Sequence, residues 1–231
     1  MAQDGRKPFI RYSFFKVDPY WRRLPGEERD GGKAQFAAVV DEMSSQLEVH
    51  SYNLMGTRGD TEFMLWQLAP SLESLQDLAS GLYATGLGKY LSTPYAYLAM
   101  SRPSAYIGGH SHSGQSHQTG AIEPRGDPYL FVYPFVKTHD WYQLPKEERQ
   151  RIMNQHFTIG HSYPKIKVHT SYSFGIDDND FVLAFEGDSP EEFLKLVMEL
   201  RESEARPYTL KDIPIFTCVQ SPLKSCLDSL G

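Results

Sequence analysis

Residues 18–29 read DPYWRRLPGEER and residues 138–149 read THDWYQLPKEER. Trp21 therefore matches Trp141, Leu24-Pro25 matches Leu144-Pro145, and Glu27-Glu28-Arg29 matches Glu147-Glu148-Arg149, each 120 residues further on. A repeat of that length in a chain of 231 residues means that one folding unit is written twice. Working outward, Ser51-Tyr52 matches Ser171-Tyr172 at the same spacing. After a two-residue slip, Phe63 of DTEFMLW matches Phe181 of DNDFVLAF.

Each copy opens on an alternating β-rich run, Phe9 to Val17 and Tyr129 to Lys137. A Leu-Pro-x-Glu-Glu-Arg signal follows, whose proline and acids suit the first turn of a helix. Two strand-like runs then form a hairpin in each copy, over 49–57 with 62–69 and over 166–175 with 180–187. A second helix, 71–85 or 189–204, and a last strand, 94–101 or 213–220, complete a β-α-β-β-α-β order. The expected fold class is α+β, with two tandem ferredoxin-like domains built on antiparallel sheets. The expected boundaries are 1–102, a linker over 103–127 rich in glycine and holding His110, His112 and His117, and 128–231.

Hydrophobic residues make up 40% and charged residues 23%, and no apolar run approaches the roughly 20 residues that span a bilayer. A net charge of −6 removes the general attraction to phosphate backbones, so neither nucleic acid nor membrane insertion is expected and small molecules fit better as ligands. Only Cys218 and Cys226 are present, in no metal-ribbon or haem-attachment spacing, and MAQDGRK at the N-terminus carries no apolar segment. Both features point to a reducing, cytoplasmic location.

The duplication turns into a comparison where the copies disagree. Ile152, His156, Ile159 and Tyr163 share one helical stripe, whereas the first copy has Phe36 at the place of His156, heading the stripe Phe36, Val40, Met43 and Leu47. From spacing alone His156 reads as a core histidine with a hydrogen-bonded partner or as a ligand to a metal or cofactor. In the next helix, Phe193, Val197, Leu200 and Glu204 form a stripe that ends in a carboxylate where the first copy has Gly86. Such a group reaches water or serves as acceptor to the imidazole. On the first strand, Tyr133 replaces Ser13 and Lys137 replaces Val17, both on the face of Phe131 and Phe135.

The segment YLFVYPFVKTHDWYQLPKEERQRIMNQHFTIGHSYPKIKV, residues 129–168, resembles the chlorite dismutase-like haem proteins, most closely their coproheme decarboxylase branch. The resemblance runs over nearly the whole chain. It implies a haem-free first domain, a second domain holding haem between sheet and helices, and a homopentamer. It makes His156 the proximal ligand to iron, with Glu204 the candidate acceptor behind it and Trp141 a further cofactor-binding residue. Tyr133 resembles the tyrosine that is oxidised in a peroxide-driven reaction and removes hydrogen from a porphyrin propionate, which leaves as carbon dioxide and a vinyl group. Lys137 matches the basic residue beside that propionate.

Two histidines offer a distal base. Thirteen residues past the proximal ligand, chlorite-degrading members carry an arginine, whereas this chain has His169. The stretch SRPSAYIGGH resembles a loop carrying a mobile histidine, which selects His110. The resulting expectation is peroxide-dependent decarboxylation of iron coproporphyrin III (coproheme), with coproheme as both substrate and redox cofactor. The competing readings are a haem b chlorite dismutase or peroxidase, and a non-catalytic haem-binding or sensing protein.

Overall fold

The computed structural model describes residues 8–106 and 120–231. They form two compact units, Met1–Met100 with Thr217–Gly231, and Ser101–Phe216. The first unit runs β1 (Phe9–Val17), α1 (Gly26–Met43), β2 (Glu48–Asn53), β3 (Phe63–Ala69), α2 (Leu72–Ala84) and β4 (Leu91–Met100). The second runs β5 (Tyr129–Lys137), a short α3 (His139–Gln143), α4 (Lys146–His161), β6 (Lys167–Tyr172), β7 (Phe181–Gly187), α5 (Pro190–Glu202) and β8 (Thr209–Lys211). The chain closes with β9 (Phe216–Gln220) and α6 (Leu223–Asp228). All pairings within the units are antiparallel: β4-β1-β3-β2 in the first, β6-β7-β5-β8 in the second. This is the duplicated ferredoxin-like arrangement that the repeat predicts.

Local chemistry explains the matching ends. α1 and α4 begin directly after Pro25 and Pro145, with paired glutamates in the first turn facing the positive end of the helix dipole. α2 and α5 are each capped by a serine, Ser71 accepting from the Ser74 N–H and Ser189 from the Glu192 N–H. Both hairpins turn on a glycine in the left-handed region, Gly56 at φ 83° and Gly175 at φ 73°.

Register refines the repeat. Asn53 pairs with Phe63 and Tyr172 with Phe181, so β6 lies 119 residues beyond β2, between the 120 of the helices and the 118 of β3 and β7. The two-residue slip is thus absorbed one residue at a time, before and after the strand. Tyr172 answers to Asn53, and the counterpart of His169 is His50.

The division of the chain also differs from the expected 128–231 for the second domain. Thr217–Gly231 folds with the first unit, because Val219 and Gln220 of β9 pair with Asn53 and Tyr52, and Cys226, Leu227 and Leu230 enter the first core. The short β8, on Lys137 and Val136 of β5, edges the second sheet instead.

The two cores are built differently. In the first unit one continuous cluster joins Trp21, Val17, Phe36, Phe63 and Leu78. In the second the apolar residues separate into two, one around Phe131, Tyr133, Phe185 and Phe193, the other around Trp141, Ile152 and Ala205. Along α4, His156 stands between Ile152 of one cluster and Ile159, which packs against the other. Phe36, fully buried and in edge-on contact with Phe15 and Phe63, fills the equivalent place in the first copy. Phe36→Ala should therefore cost about 3–5 kcal/mol in urea unfolding, whereas His156→Ala, at the already divided position, should cost well under half of that.

Candidate functional site

His156 projects from the middle of α4 as a half-buried ring. Its Nδ1 is buried with no hydrogen-bond partner. Burial, and after it the charge of Lys137, lowers the imidazole pKa to about 4, so the ring is neutral and keeps a lone pair for a metal at physiological pH. One turn further on the same face, Gly160 takes the place of Val40 of the first core, and a Cβ built there would meet nothing within 4 Å. Phe36 to His156 and Val40 to Gly160 thus replace two apolar core side chains on one face of the helix. Gly160 escaped the reading of the sequence, although the same 120-residue spacing that exposed His156 exposes it too.

Lys137 lies near enough for its charge to act on His156. Its Nζ lies 4.3 Å from the ring centroid of Trp141 and 5.3 Å from that of Phe135, so it reaches aromatic groups belonging to both apolar clusters. Burial lowers its pKa to about 8 against the opposing charge of Asp180, which leaves it mostly protonated near neutrality. Asp180 also accepts from the Lys137 backbone N–H at 2.8 Å and from the Tyr142 hydroxyl at 2.6 Å. Its counterpart Glu62 accepts from the Val17 N–H at 2.9 Å, so this anchor at the strand end belongs to the shared scaffold.

Tyr133 is buried and stacks on Phe185, with centroids 5.8 Å apart and planes 13° from parallel. Burial, then Asp212, pushes its hydroxyl well above the usual phenol range, so it remains protonated. Asp212 accepts from Arg206 Nη1 at 2.6 Å and lies 3.6 Å from Arg201 Nη2, and both guanidiniums act on the same phenol. These three charged residues lie beyond any motif in the sequence. Trp141 is buried between Tyr106 and Tyr208, at 6.1 and 5.5 Å. The pair Trp141–Tyr208 repeats Trp21–Tyr90 of the first unit, which makes the indole primarily a scaffold element that also carries Lys137.

Two expected residues stand elsewhere. α5 ends at Glu202, and Ser203 adopts extended backbone (φ −73°, ψ 158°) while its hydroxyl bonds back to the Leu200 carbonyl. Glu204 is thereby taken off the helical stripe; its exposed carboxylate pairs with Arg151 at 2.6 Å rather than with His156. Thr85 ends α2 in the same manner. His169 lies on the opposite sheet face from Tyr133. Tyr133 faces Leu183, which faces Thr170, whereas His169 faces Ala184 and Val132. His110 lies outside the described residues, as do His112 and His117.

His169 instead belongs to a buried network. Its Nε2 is 2.6 Å from Glu186, whose carboxylate also accepts from the backbone N–H groups of Arg125 and Gly126. Burial alone would raise the Glu186 pKa, but the donors from His169, Arg125 and Gly126 outweigh it and hold it at about 2. Burial lowers the His169 pKa against the pull of Glu186, so the ring is neutral and donates its Nε2–H to the carboxylate.

Residues 29–221 match the protein family described as Chlorite dismutase. The chain belongs to the chlorite dismutase family. It is 30% identical over 226 residues to the coproheme decarboxylase of Mycolicibacterium smegmatis, covering 93% of this chain and 91% of that one. The coproheme decarboxylase of Staphylococcus carnosus is also 30% identical, over 207 residues, covering 83% and 82%. Among solved structures, a mutant chlorite dismutase from Candidatus Nitrospira defluvii superposes with a TM-score of 0.89 at 26% identity, covering 97% of this chain and 95% of that one. A haem-binding protein from Thermus thermophilus shares the fold, with a TM-score of 0.84 at 20% identity and coverage of 97% and 94%. The neutral imidazole of His156, with an unpartnered buried nitrogen, is a donor that fits a metal or a metal-bearing cofactor. Among the described residues, no helix is long and apolar enough to cross a membrane.

A pH prediction follows from the buried network. The contribution of Glu186, whose pKa is depressed in the fold, is complete above the unfolded-state value of about 4.3 and is lost as pH falls through about 2. Across that window the loss should be roughly 3 kcal/mol. Glu186→Gln should remove this part of the slope in urea unfolding measured at successive pH values; an unchanged slope would show that the network does not carry it.

Proposed function

We propose that this chain is a haem-dependent oxidoreductase that decarboxylates iron coproporphyrin III, with hydrogen peroxide as oxidant, to give protohaem. The observation that carries the reading is the joint replacement of Phe36, Val40 and Val17 by His156, Gly160 and Lys137 at the divided core of the second unit. It removes apolar filling and supplies one neutral donor and one cation at the same place. The names of the relatives point in the same direction.

His156 would bind the porphyrin iron through one ring nitrogen. Bound there, the iron porphyrin supplies the two-electron chemistry that peroxide drives. The residues of the chain do the rest. Lys137 holds a propionate carboxylate as a compact cation whose pKa near 8 also lets it give up or take a proton. Tyr133, kept protonated by its surroundings, is the hydrogen relay toward the same propionate. Each propionate that reacts gives up one hydrogen atom, one further electron and carbon dioxide to become a vinyl group, and that hydrogen and electron, with one proton from solvent, reduce one hydrogen peroxide to two waters. Arg201 and Arg206, held around Asp212, are the further cations available to porphyrin carboxylates. Stacking of Tyr133 on Phe185 fixes its ring on the sheet.

Chlorite dismutation fits these residues less well. β6 reads KVHTSY and contains no arginine, and Thr170 rather than a cation stands in the row of Tyr133. We further place the chain in a homopentamer in the cytoplasm. The exposed Leu194, Met198, Leu210 and Ile213 offer apolar surface for self-association, and the free cysteines suit a reducing compartment.

The test is to add iron coproporphyrin III to the protein, titrate hydrogen peroxide, and follow porphyrin mass, with oxygen release from chlorite measured in parallel. Stepwise loss of two carboxyl groups is expected, without oxygen from chlorite. Tyr133→Phe should keep the binding spectrum and lose turnover at least 100-fold, roughly the scale of losing a positioned proton or hydrogen-transfer group. Unchanged carbon dioxide yield in that variant would remove Tyr133 from the reaction. A His156→Ala protein that retains the parent's axial-nitrogen signature would remove the imidazole from the iron.

A further inference from the structure

Glu62 and Asp180 stand at matching places, one residue before β3 and β7, and each is tied to the end of the first strand of its unit. The Glu62 N–H donates to the Phe15 carbonyl at 2.8 Å and the Asp180 N–H to the Phe135 carbonyl at 3.2 Å, so the backbone frame is the same. The charges around it differ. Glu62 holds Arg22 at 2.7 Å and Lys16 at 3.5 Å. At the 120-residue spacing those two cations become Tyr142 and Val136, while Val17 becomes Lys137. In effect a lysine has moved one residue along the strand, which turns it from the outer face to the face that Val17 gives to the core. Asp180 keeps two neutral donors, the Lys137 backbone N–H and the Tyr142 hydroxyl, and neither cancels its charge. The Lys137 ammonium lies over the Trp141 and Phe135 rings instead.

We propose that Asp180 is a positioning residue of the porphyrin site: the internal counter-ion of Lys137, released from the ion pairs of its counterpart so that the ammonium is shared between this carboxylate and a propionate of the ligand. While the propionate is present, Asp180 weakens the hold of Lys137 on it. Once the propionate has become a neutral vinyl group, Asp180 alone balances the ammonium, and no isolated buried cation is left beside the product. The effect is on selectivity, because it narrows the difference in affinity between iron coproporphyrin III and protohaem and so lets the reacted porphyrin leave. The opposing pull of Asp180 against the burial of Lys137 shows that the two charges already act on one another in the free chain. This inference rests on reading His156, Lys137 and Tyr133 as the porphyrin site.

One carboxylate oxygen, Oδ2, accepts both bonds, so Asp180→Asn keeps them through its amide oxygen and removes only the charge. Tyr142→Arg places a cation where Arg22 stands and should recapture the carboxylate in an ion pair, whereas Tyr142→Phe removes a hydrogen bond and leaves the charge free. Affinities for iron coproporphyrin III and for protohaem are measured by absorbance titration at pH 6, below the Lys137 value of about 8, so that the ammonium stays protonated. The ratio of the two affinities should rise about tenfold in favour of iron coproporphyrin III in Asp180→Asn and in Tyr142→Arg. It should stay within about twofold of the parent in Tyr142→Phe, and Asp180→Asn should have no effect on it in a Lys137→Met background. An unchanged ratio in Asp180→Asn overturns the proposal, as does an equal rise in Tyr142→Phe, the result that a purely structural anchor would give. Urea unfolding of the ligand-free chain is the second measurement. There Lys137→Met and Asp180→Asn should be non-additive by about fivefold in the equilibrium constant, and additivity overturns the proposal without any porphyrin. A chain that keeps this coupling but binds no iron coproporphyrin III would instead defeat the reading of the porphyrin site and leave Asp180 as the counter-ion of Lys137, so the two failures are distinguishable.

Discussion

An imidazole set into a helix–sheet core must have its polar atoms satisfied, and the second unit leaves Nδ1 of His156 buried without a partner. An unpaired buried group of this kind costs about 1–3 kcal/mol, which a fold tolerates where the group is reserved for something else. The surrounding arrangement follows from that one position. The apolar residues divide into two clusters, Gly160 withdraws a side chain one turn along the helix, and Lys137 reaches aromatic groups of both. The first unit shows what the same scaffold does without this constraint: Phe36 closes the core, and Trp21, Val17 and Phe63 join a single cluster.

The scaffold itself is held in both units by the same small devices. A carboxylate, Glu62 or Asp180, accepts from the backbone N–H that ends the first strand, and a hydroxyl, Thr85 or Ser203, terminates the second helix by bonding back to a carbonyl. These features lie outside the differences that matter for chemistry, and they keep the sheet and helices in place while the core between them changes. His169 and Glu186 show the other kind of divergence. The corresponding strand of the first unit pairs His50 with Glu48 at 2.6 Å, whereas the second turns its histidine toward a fully buried carboxylate that also fixes the backbone at Arg125 and Gly126. A histidine that looks like a distal base by counting residues is thereby an anchoring donor on the far face of the sheet.

The residues of the site divide by the range of the interaction that places them. His156 and Gly160 are legible because both depend on the phase of a single helix, and the duplicated α1 supplies the apolar reference for each. Tyr133 and Lys137 follow from strand alternation over a few residues. Glu204 does not, since the stripe that seems to carry it inward is broken when Ser203 leaves helical geometry, and a hydroxyl cap is a local choice that periodicity does not register. Arg201, Arg206 and Asp212 converge from a helix, a turn and the start of a loop, with no spacing to announce them.

The order of elements, the duplication, and the exchange of a phenyl ring for an imidazole were determined by the sequence alone, because propensity, capping and periodicity act over a few residues and the second copy provides the comparison. Three matters were decided only in the tertiary structure. The one-residue steps that bring β6 into register and turn His169 away from Tyr133 arise from loop closure and cross-strand pairing. The return of Thr217–Gly231 to the first unit arises from apolar surface on β2 and α1, more than 160 residues earlier in the chain than the segment that buries it. The division of the second core into two clusters exists only once helix and sheet are packed, since it belongs to no single stretch of chain.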